Sequence, residues 1–248
     1  VGRNVNHKMP NLRFFEFGNC YHYSPEKKND EDPIKAYTEE MHLGMWLTGK
    51  RVEGSWAHAD EQSSFYELKA YVMNIFTRLG VNPGIVVTES SDNNVFGKAL
   101  ALKARSGKVL CEMGIVSHKL LKKMDIEQEV FYADINWDNM MRAIKKNEVL
   151  YHDICKFPSV SRDLALLLDK NVQFEQIEQI ARQTEKKLLK SVELFDVYEG
   201  KNLPEGKKSY AVNFILQDEA RTLNDKQIEA IMSKLINNLK TKLGAELR

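Results

Sequence analysis

Three segments in the last third of the chain alternate apolar and polar residues with a period of two, the spacing that a β-strand turns into two separate faces. On Ser161–Asp169, Leu164, Leu166 and Leu168 share one face, and Ser161, Asp163 and Ala165 share the other. On Ser191–Tyr198, Phe195 and Val197 fall opposite Asp196 and Tyr198. On Lys208–Gln217, Tyr210, Val212, Phe214 and Leu216 are set against Ser209, Ala211 and Asn213. Between them run two stretches with the helical period: Phe174, Ile177, Ala181 and Thr184 form one apolar stripe. Ile228, Ile231, Leu235 and Leu239 form the other, behind an Asn224/Gln227 capping box. With a closing strand, the order over residues 157–248 is βαββαβ. Two helices cover the apolar face of one sheet, which is the ferredoxin-like arrangement, and a polar face stays open.

The upstream part reads as a second α+β domain. Asn11–Tyr23 is an aromatic-rich strand, and Ser24–Lys35 is a charged loop punctuated by Pro25 and Pro33. Met41–Leu47 resumes the strand pattern, and Gly49–Gly54 turns the chain back. A helix opens on a Ser64/Glu67 capping box, carries Phe65, Leu68, Val72, Ile75 and Leu79 as its stripe, and stops at Gly80. Short strands are expected at Ile85–Val87, Ala99–Lys103, Val109–Ile115 and Val130–Ile135, with a hairpin at Ser106-Gly107, and a helix at Trp137–Lys145. Antiparallel strands with helices on one side give the α+β class. The pattern restarts behind Pro158, so the expected domains are residues 1–153 and 154–248.

Composition narrows the function classes. The chain has 248 residues, 43% hydrophobic and 29% charged, the balance of a soluble globular protein. Its formal net charge of +1 gives no global basic field, so any nucleic-acid site must be local. Cys20, Cys111 and Cys155 are far apart and form no C-x-x-C, which points to reduced thiols and a cytoplasmic setting. No apolar run reaches the length of a membrane span. The opening Val1-Gly2-Arg3 lacks Met and suggests a fragment of a longer polypeptide.

No catalytic constellation is legible. His7, His22, His42, His58, His118 and His152 are scattered, and only His58-Ala-Asp60 lies beside a carboxylate. Cys20 and His22 share a strand face but have no further ligands, so no metal site is expected. P-loop, G-x-G-x-x-G and G-x-S-x-G patterns do not occur. The open face of the downstream sheet has two readings. It is either a solvated sheet surface or a platform for single-stranded RNA. A carboxylate such as Asp196 can accept two hydrogen bonds from the N1–H and N2–H2 donors of guanine. Tyr198, two residues along, can stack a splayed base, and small neighbours such as Ala165 and Ser209 leave it room.

Five stretches carry a family resemblance: Phe157-Pro-Ser-Val-Ser-Arg-Asp-Leu-Ala165, Ser191-Val-Glu-Leu-Phe-Asp-Val-Tyr198, Pro204-Glu-Gly-Lys-Lys-Ser209, Arg221-Thr-Leu223 and Leu243-Gly-Ala-Glu-Leu-Arg248. Over these the chain resembles the C-terminal anticodon-binding domain of bacterial phenylalanyl-tRNA synthetase beta subunits. Asn11–Gly18, Ser55–Tyr66 and Gly107–Ile126 resemble, more loosely, the same subunit's catalytic-like domain, a class II synthetase fold without an active site. Arg13-Phe-Phe-Glu16 is similar in outline to the second class II signature, although a strand-end Arg–Glu pair on the sheet surface also accounts for it. The third signature's arginine is missing after Cys111–Val116, where only Lys119, Lys122 and Lys123 follow.

The resemblance implies that Asp196 and Tyr198 read the guanine at the first anticodon position, with Ser209 and Ala165 beside them. It implies tRNA(Phe) and a catalytic alpha subunit as partners, in an alpha2-beta2 assembly. ATP and magnesium would serve the intact ligase, with no cofactor, metal or catalytic residue in this chain. Two other classes stay open at this point: an autonomous RNA-binding module, and an amino-acid-sensing regulatory domain, which ferredoxin-like folds also supply.

Overall fold

The computed structural model describes residues 1–29, 31–81, 86–91, 94–147, 150–151 and 153–248, with 86–91 described as backbone alone. Ile85 and His152 therefore lie outside the described residues. The chain divides into two compact units, Val1–Leu150 and Tyr151–Arg248.

The first unit opens with a short helix, α1 (Gly2–Asn6), and a long hairpin, β1 (Leu12–Tyr23) and β2 (Tyr37–Thr48). β3 (Lys50–Val52) and β4 (Glu61–Gln62) pair only with each other. After them come α2 (Phe65–Arg78), β5 (Val86–Ser91), β6 (Phe96–Ala104), β7 (Val109–Val116), α3 (His118–Lys123), β8 (Val130–Asn136) and α4 (Trp137–Ile144). The sheet is antiparallel in the order β1-β2-β8-β7-β6-β5, which is the α+β organisation expected. Neither α1 nor α3 was anticipated, because five or six residues are too few to show a helical period.

Alternate residues of the sheet, Leu43, Leu47, Cys111, Met113, Phe131, Ala133 and Ile135, pack against Leu68, Val72 and Phe76 of α2 and Met140 of α4. The buried centre of α2 is thus Phe76, while Phe65, Ile75 and Leu79 of the expected stripe sit at its margin. Half of the expected capping box forms: Ser64 accepts from the Glu67 N–H. The Glu67 carboxylate does not return to the cap. It accepts instead from Arg13 Nε at 3.2 Å and the Tyr71 hydroxyl at 2.9 Å, because a buried carboxylate gains more from a cation than from an exposed amide.

The second unit runs β9 (Val160–Asp169), α5 (Phe174–Thr184), β10 (Leu189–Tyr198), β11 (Lys207–Leu216), α6 (Asp225–Leu243) and β12 (Glu246–Leu247). This is the βαββαβ order, in one antiparallel sheet arranged β10-β11-β9-β12. Leu166, Leu168, Tyr210, Val212, Phe214 and Leu216 form its covered face and pack on Ile177, Ile180 and Ala181 of α5. Ile228, Ile231, Leu235 and Leu239 of α6 complete the core as their spacing required. The Asn224/Gln227 capping box is complete. At the start of α5 half of such a box forms, the Gln176 side chain accepting from the Gln173 backbone N–H at 2.8 Å, which glutamine's low preference for the cap position conceals in the sequence.

One irregularity decides what the second sheet exposes. Leu194 pairs with Val212, yet Asp196 pairs with Ala211 and Tyr198 with Ser209, so β10 carries one extra residue between Leu194 and Asp196. This β-bulge inverts the strand's parity. Without it, Asp196 and Tyr198 would follow Val192 and Leu194 toward the helices. The expected apolar partners Phe195 and Val197 do not join the core: they are 60% and 49% exposed, at the end of the strand.

Candidate nucleic-acid interface

The uncovered face of the second sheet holds two adjacent rows of residues. In one, Asp196, Ala211 and Ala165 stand opposite one another on β10, β11 and β9. Arg248 continues that row, since its backbone N–H donates to the Ala165 carbonyl at 3.0 Å. In the next row Tyr198 faces Ser209, which faces Leu167, and Glu246 of β12 follows. The four sequence-expected residues, Ala165, Asp196, Tyr198 and Ser209, thus meet in one patch with two alanines at its centre.

The patch differs from the rest of its own face. Farther along the strands, Asn213 Nδ2 donates to Ser161 Oγ and, at 2.5 Å, to Asp163 Oδ1, so those groups satisfy one another. Lys207 is held by Asp169 at 2.9 Å. Among the described residues, neither the Asp196 carboxylate nor the Tyr198 and Ser209 hydroxyls have a hydrogen-bond or ion-pair partner. Their capacity to accept and donate is left for a ligand or water.

Two neighbours set the Tyr198 ring. Gly200, two residues on, has no Cβ, and a Cβ there would overlap the hydroxyl end of the ring. The Arg248 guanidinium lies 5.4 Å from the ring centroid, within cation–π range. Tyr198 is 37% exposed, whereas Ser209 is only 6% exposed. Ser209 has the open-face parity expected of it but lies below the surface of the patch. Sequence reasoning missed Arg248 and Gly200. A glycine two residues after the tyrosine was a signal available for the second; the first ends the Leu243–Arg248 stretch that carries the family resemblance, but its meeting with Tyr198 is not written there.

Among its described residues the first unit offers no comparable opening. Arg13 and Glu16, three apart on a strand, point to opposite faces, so the expected surface pair does not form. Arg13 turns to Glu67 and also donates to the carbonyl of Arg51 at 3.1 Å. On the face away from α2, His42 Nδ1 lies 2.7 Å from Asp134 Oδ1, and Asn136 Nδ2 donates to Glu40 Oε2 at 3.1 Å. Glu40 is also opposite Cys20, whose thiol is pushed up by burial and then by Asp134 and Glu40. A face lined with carboxylates, its one candidate arginine engaged elsewhere, does not fit the phosphates of a nucleotide. Asp60, beside His58, is bound to Lys50 at 2.9 Å, and no metal-holding group of His, Cys, Asp and Glu occurs among the described residues. All three cysteines are free thiols. No described helix is long and apolar enough to cross a membrane.

Comparison with known proteins follows the same division. Residues 1–137 match the phenylalanyl tRNA synthetase beta chain CLM domain, and residues 155–248 match the ferredoxin-fold anticodon binding domain. The chain is 58% identical over 248 residues to a phenylalanine–tRNA ligase beta subunit of Bacteroides fragilis, and 49% identical to that of Porphyromonas gingivalis. Each alignment covers 100% of this chain and 30% of the relative, so the chain spans under a third of those proteins' length. A pyrrolysyl-tRNA synthetase structure from Desulfitobacterium hafniense is similar at 14% identity over 58% of this chain and 46% of that one, with a TM-score of 0.40, too low to carry an argument. The two family matches together take in nearly every residue from Val1 to Arg248, and the chain belongs to the phenylalanyl-tRNA synthetase beta-chain family.

Proposed function

We propose that the second unit reads the first anticodon base of tRNA(Phe) within a phenylalanine–tRNA ligase. The observation that carries this reading is the row geometry: an unpaired carboxylate, an exposed tyrosine ring and an unpaired hydroxyl on neighbouring rows of an open sheet. Asp196 accepts from two donors on guanine's Watson–Crick edge, and no other base offers that pair of donors. Tyr198 stacks the base, and Ala165 with Ala211 keeps the sheet low enough beneath it for close approach. Ser209, opposite Tyr198, adds a polar contact.

The first unit acts as scaffold. ATP and magnesium serve the alpha subunit of the intact ligase, in an alpha2-beta2 assembly, and the acidic uncovered face of this unit contributes no step. Its edge strand β1 supports the docking of that partner, with Phe15 and Tyr21 each 70% exposed on a strand of twelve residues. The chain works in the cytoplasm, where its tRNA is charged.

The test is a titration of the chain against anticodon stem-loops carrying each of the four bases at the first position, at one fixed salt concentration. The wild type prefers guanine, Asp196→Ala loses that preference, and Tyr198→Ala weakens binding to all four. Binding that ignores the base would overturn the reading. Phenylalanine-dependent ATP–pyrophosphate exchange by this chain alone stays at background.

A further inference from the structure

Among the cations described on the uncovered face of the second sheet, Arg248 stands apart. Lys207 is neutralised by Asp169 at 2.9 Å. The Arg248 guanidinium is exposed and has no carboxylate or carbonyl partner among the described residues. Its position is nevertheless fixed at both ends. The backbone N–H is bonded to Ala165 at 3.0 Å, extending the β12 pairing of Glu246 with Leu167 and Leu247 with Leu166. The side chain then crosses the sheet from β12 toward β10 and meets the Tyr198 ring at 5.4 Å. An unpaired arginine usually samples many rotamers in water. Here a strand pairing and a ring hold it over the patch, with most of the five guanidinium donors free.

We infer that Arg248 is the phosphate-contacting residue of this site, seated on Tyr198 so that its guanidinium meets the RNA backbone of the nucleotide stacked there. The inference rests on the proposed reading of the open face as a single-strand platform, and adds to it the charge that Asp196, Tyr198 and Ser209 lack. The chemistry is consistent on each count. RNA brings a phosphate with every base, and Asp196 by itself would repel it. A planar guanidinium can lie against an aromatic ring while its N–H edge points outward to a phosphate oxygen. The same residue holds the ring in place before the base arrives, which lowers the ordering cost of binding.

The experiment uses the full 248-residue chain and a stem-loop RNA with guanine at the first anticodon position, titrated over a range of salt concentrations. Arg248→Ala should lower the magnitude of the slope of log K against log salt by about 0.7, the amount expected for one phosphate contact to a single strand. At 0.1 M salt that corresponds to a loss of about fivefold in affinity, equal for all four first-position bases. Arg248→Lys keeps the charge and should keep the slope. Because the side chain is exposed, the thermal midpoint of both variants should match the wild type, which separates this effect from misfolding. An Arg248→Ala slope equal to the wild type's would overturn the inference, as would an Arg248→Lys slope as shallow as that of Arg248→Ala. A wild type that fails to prefer guanine would instead overturn the anticodon reading itself, so the two failures are distinguishable.

Discussion

Trp46 on β2 and Tyr198 at the end of β10 each lie back over a glycine two residues away, Gly44 and Gly200, where a Cβ would collide with the ring. What happens on the rest of each ring differs. Trp46 stacks on Tyr132 at 5.1 Å, and Tyr132 in turn stacks on Phe96 at 5.7 Å, so the first sheet closes its aromatic over with others. Burial, then the nearby Asp134, holds the Tyr132 hydroxyl well above its ordinary ionisation range. Among the described residues Tyr198 has no aromatic partner: the Arg248 cation lies beside it, and it keeps over a third of its surface in water. The polar groups repeat the contrast: His42, Asp134, Glu40 and Asn136 satisfy one another, while Asp196 is unpaired. Two antiparallel sheets thus reach opposite outcomes: Leu121 of α3 and Ile126 help to cover the Trp46 and Tyr132 face of the first, while the Tyr198 face of the second stays open. Bare backbone beneath a ring is permissive, and the contacts above the ring decide whether the face is sealed or offered.

The contrast predicts that equivalent mutations separate stability from recognition. The largest effect is expected at Asp196. Asp196→Ala should cost about 1–3 kcal/mol of discrimination for guanine, roughly ten- to a hundredfold, with no change in unfolding midpoint. Tyr198→Ala should cost up to a similar amount of affinity, about 1–3 kcal/mol, spread evenly over the four bases because every base has a face to stack. If both variants behaved alike across the bases, recognition by hydrogen bonds would lose its support. On the sealed face the prediction inverts. Asp134→Ala should destabilise the first unit by about 1 kcal/mol, a partly exposed charged hydrogen bond being discounted for solvent, and leave stem-loop affinity unchanged. Chemical denaturation followed beside RNA titration measures both, and a drop in RNA affinity without a drop in stability would break the comparison. The smallest effect is expected at Gly200. Gly200→Ala pushes the hydroxyl end of Tyr198 aside, which at about 0.5–1.5 kcal/mol for a displaced rotamer should weaken binding roughly two- to tenfold. An unaltered affinity there would show that the resting position of the ring does not matter to binding.

Much of this was legible in the chain itself. Alternation marked β9 and β11 and placed Tyr210, Val212, Phe214 and Leu216 in the core. Spacing of three and four marked α6, and the Asn224/Gln227 pair fixed where it begins. These features depend on residues within a turn or two of one another, and local sequence specifies them. The grouping of Asp196 with Tyr198 on the open face was also readable from their spacing of two. That the pair faces away from the helices, however, was settled by the bulge after Leu194, because the strand's earlier residues point the same parity into the core.

Sequence by itself determined the longer elements, their order, the covered face of the second sheet and the membership of the family. Tertiary structure alone decided which polar groups are spent and which are left over. Glu67 has the spacing to complete its helix's capping box, but its carboxylate goes to Arg13, fifty-four positions earlier in the chain. Arg248 lies fifty residues beyond Tyr198 and comes beside it only because β12 pairs on the far side of β9. Ser209 has the right parity for an open position and is nevertheless covered. Parity and period report the direction in which a side chain leaves the backbone. What it meets there depends on strand register and on elements distant in sequence, and a pattern read along one strand carries no information about those.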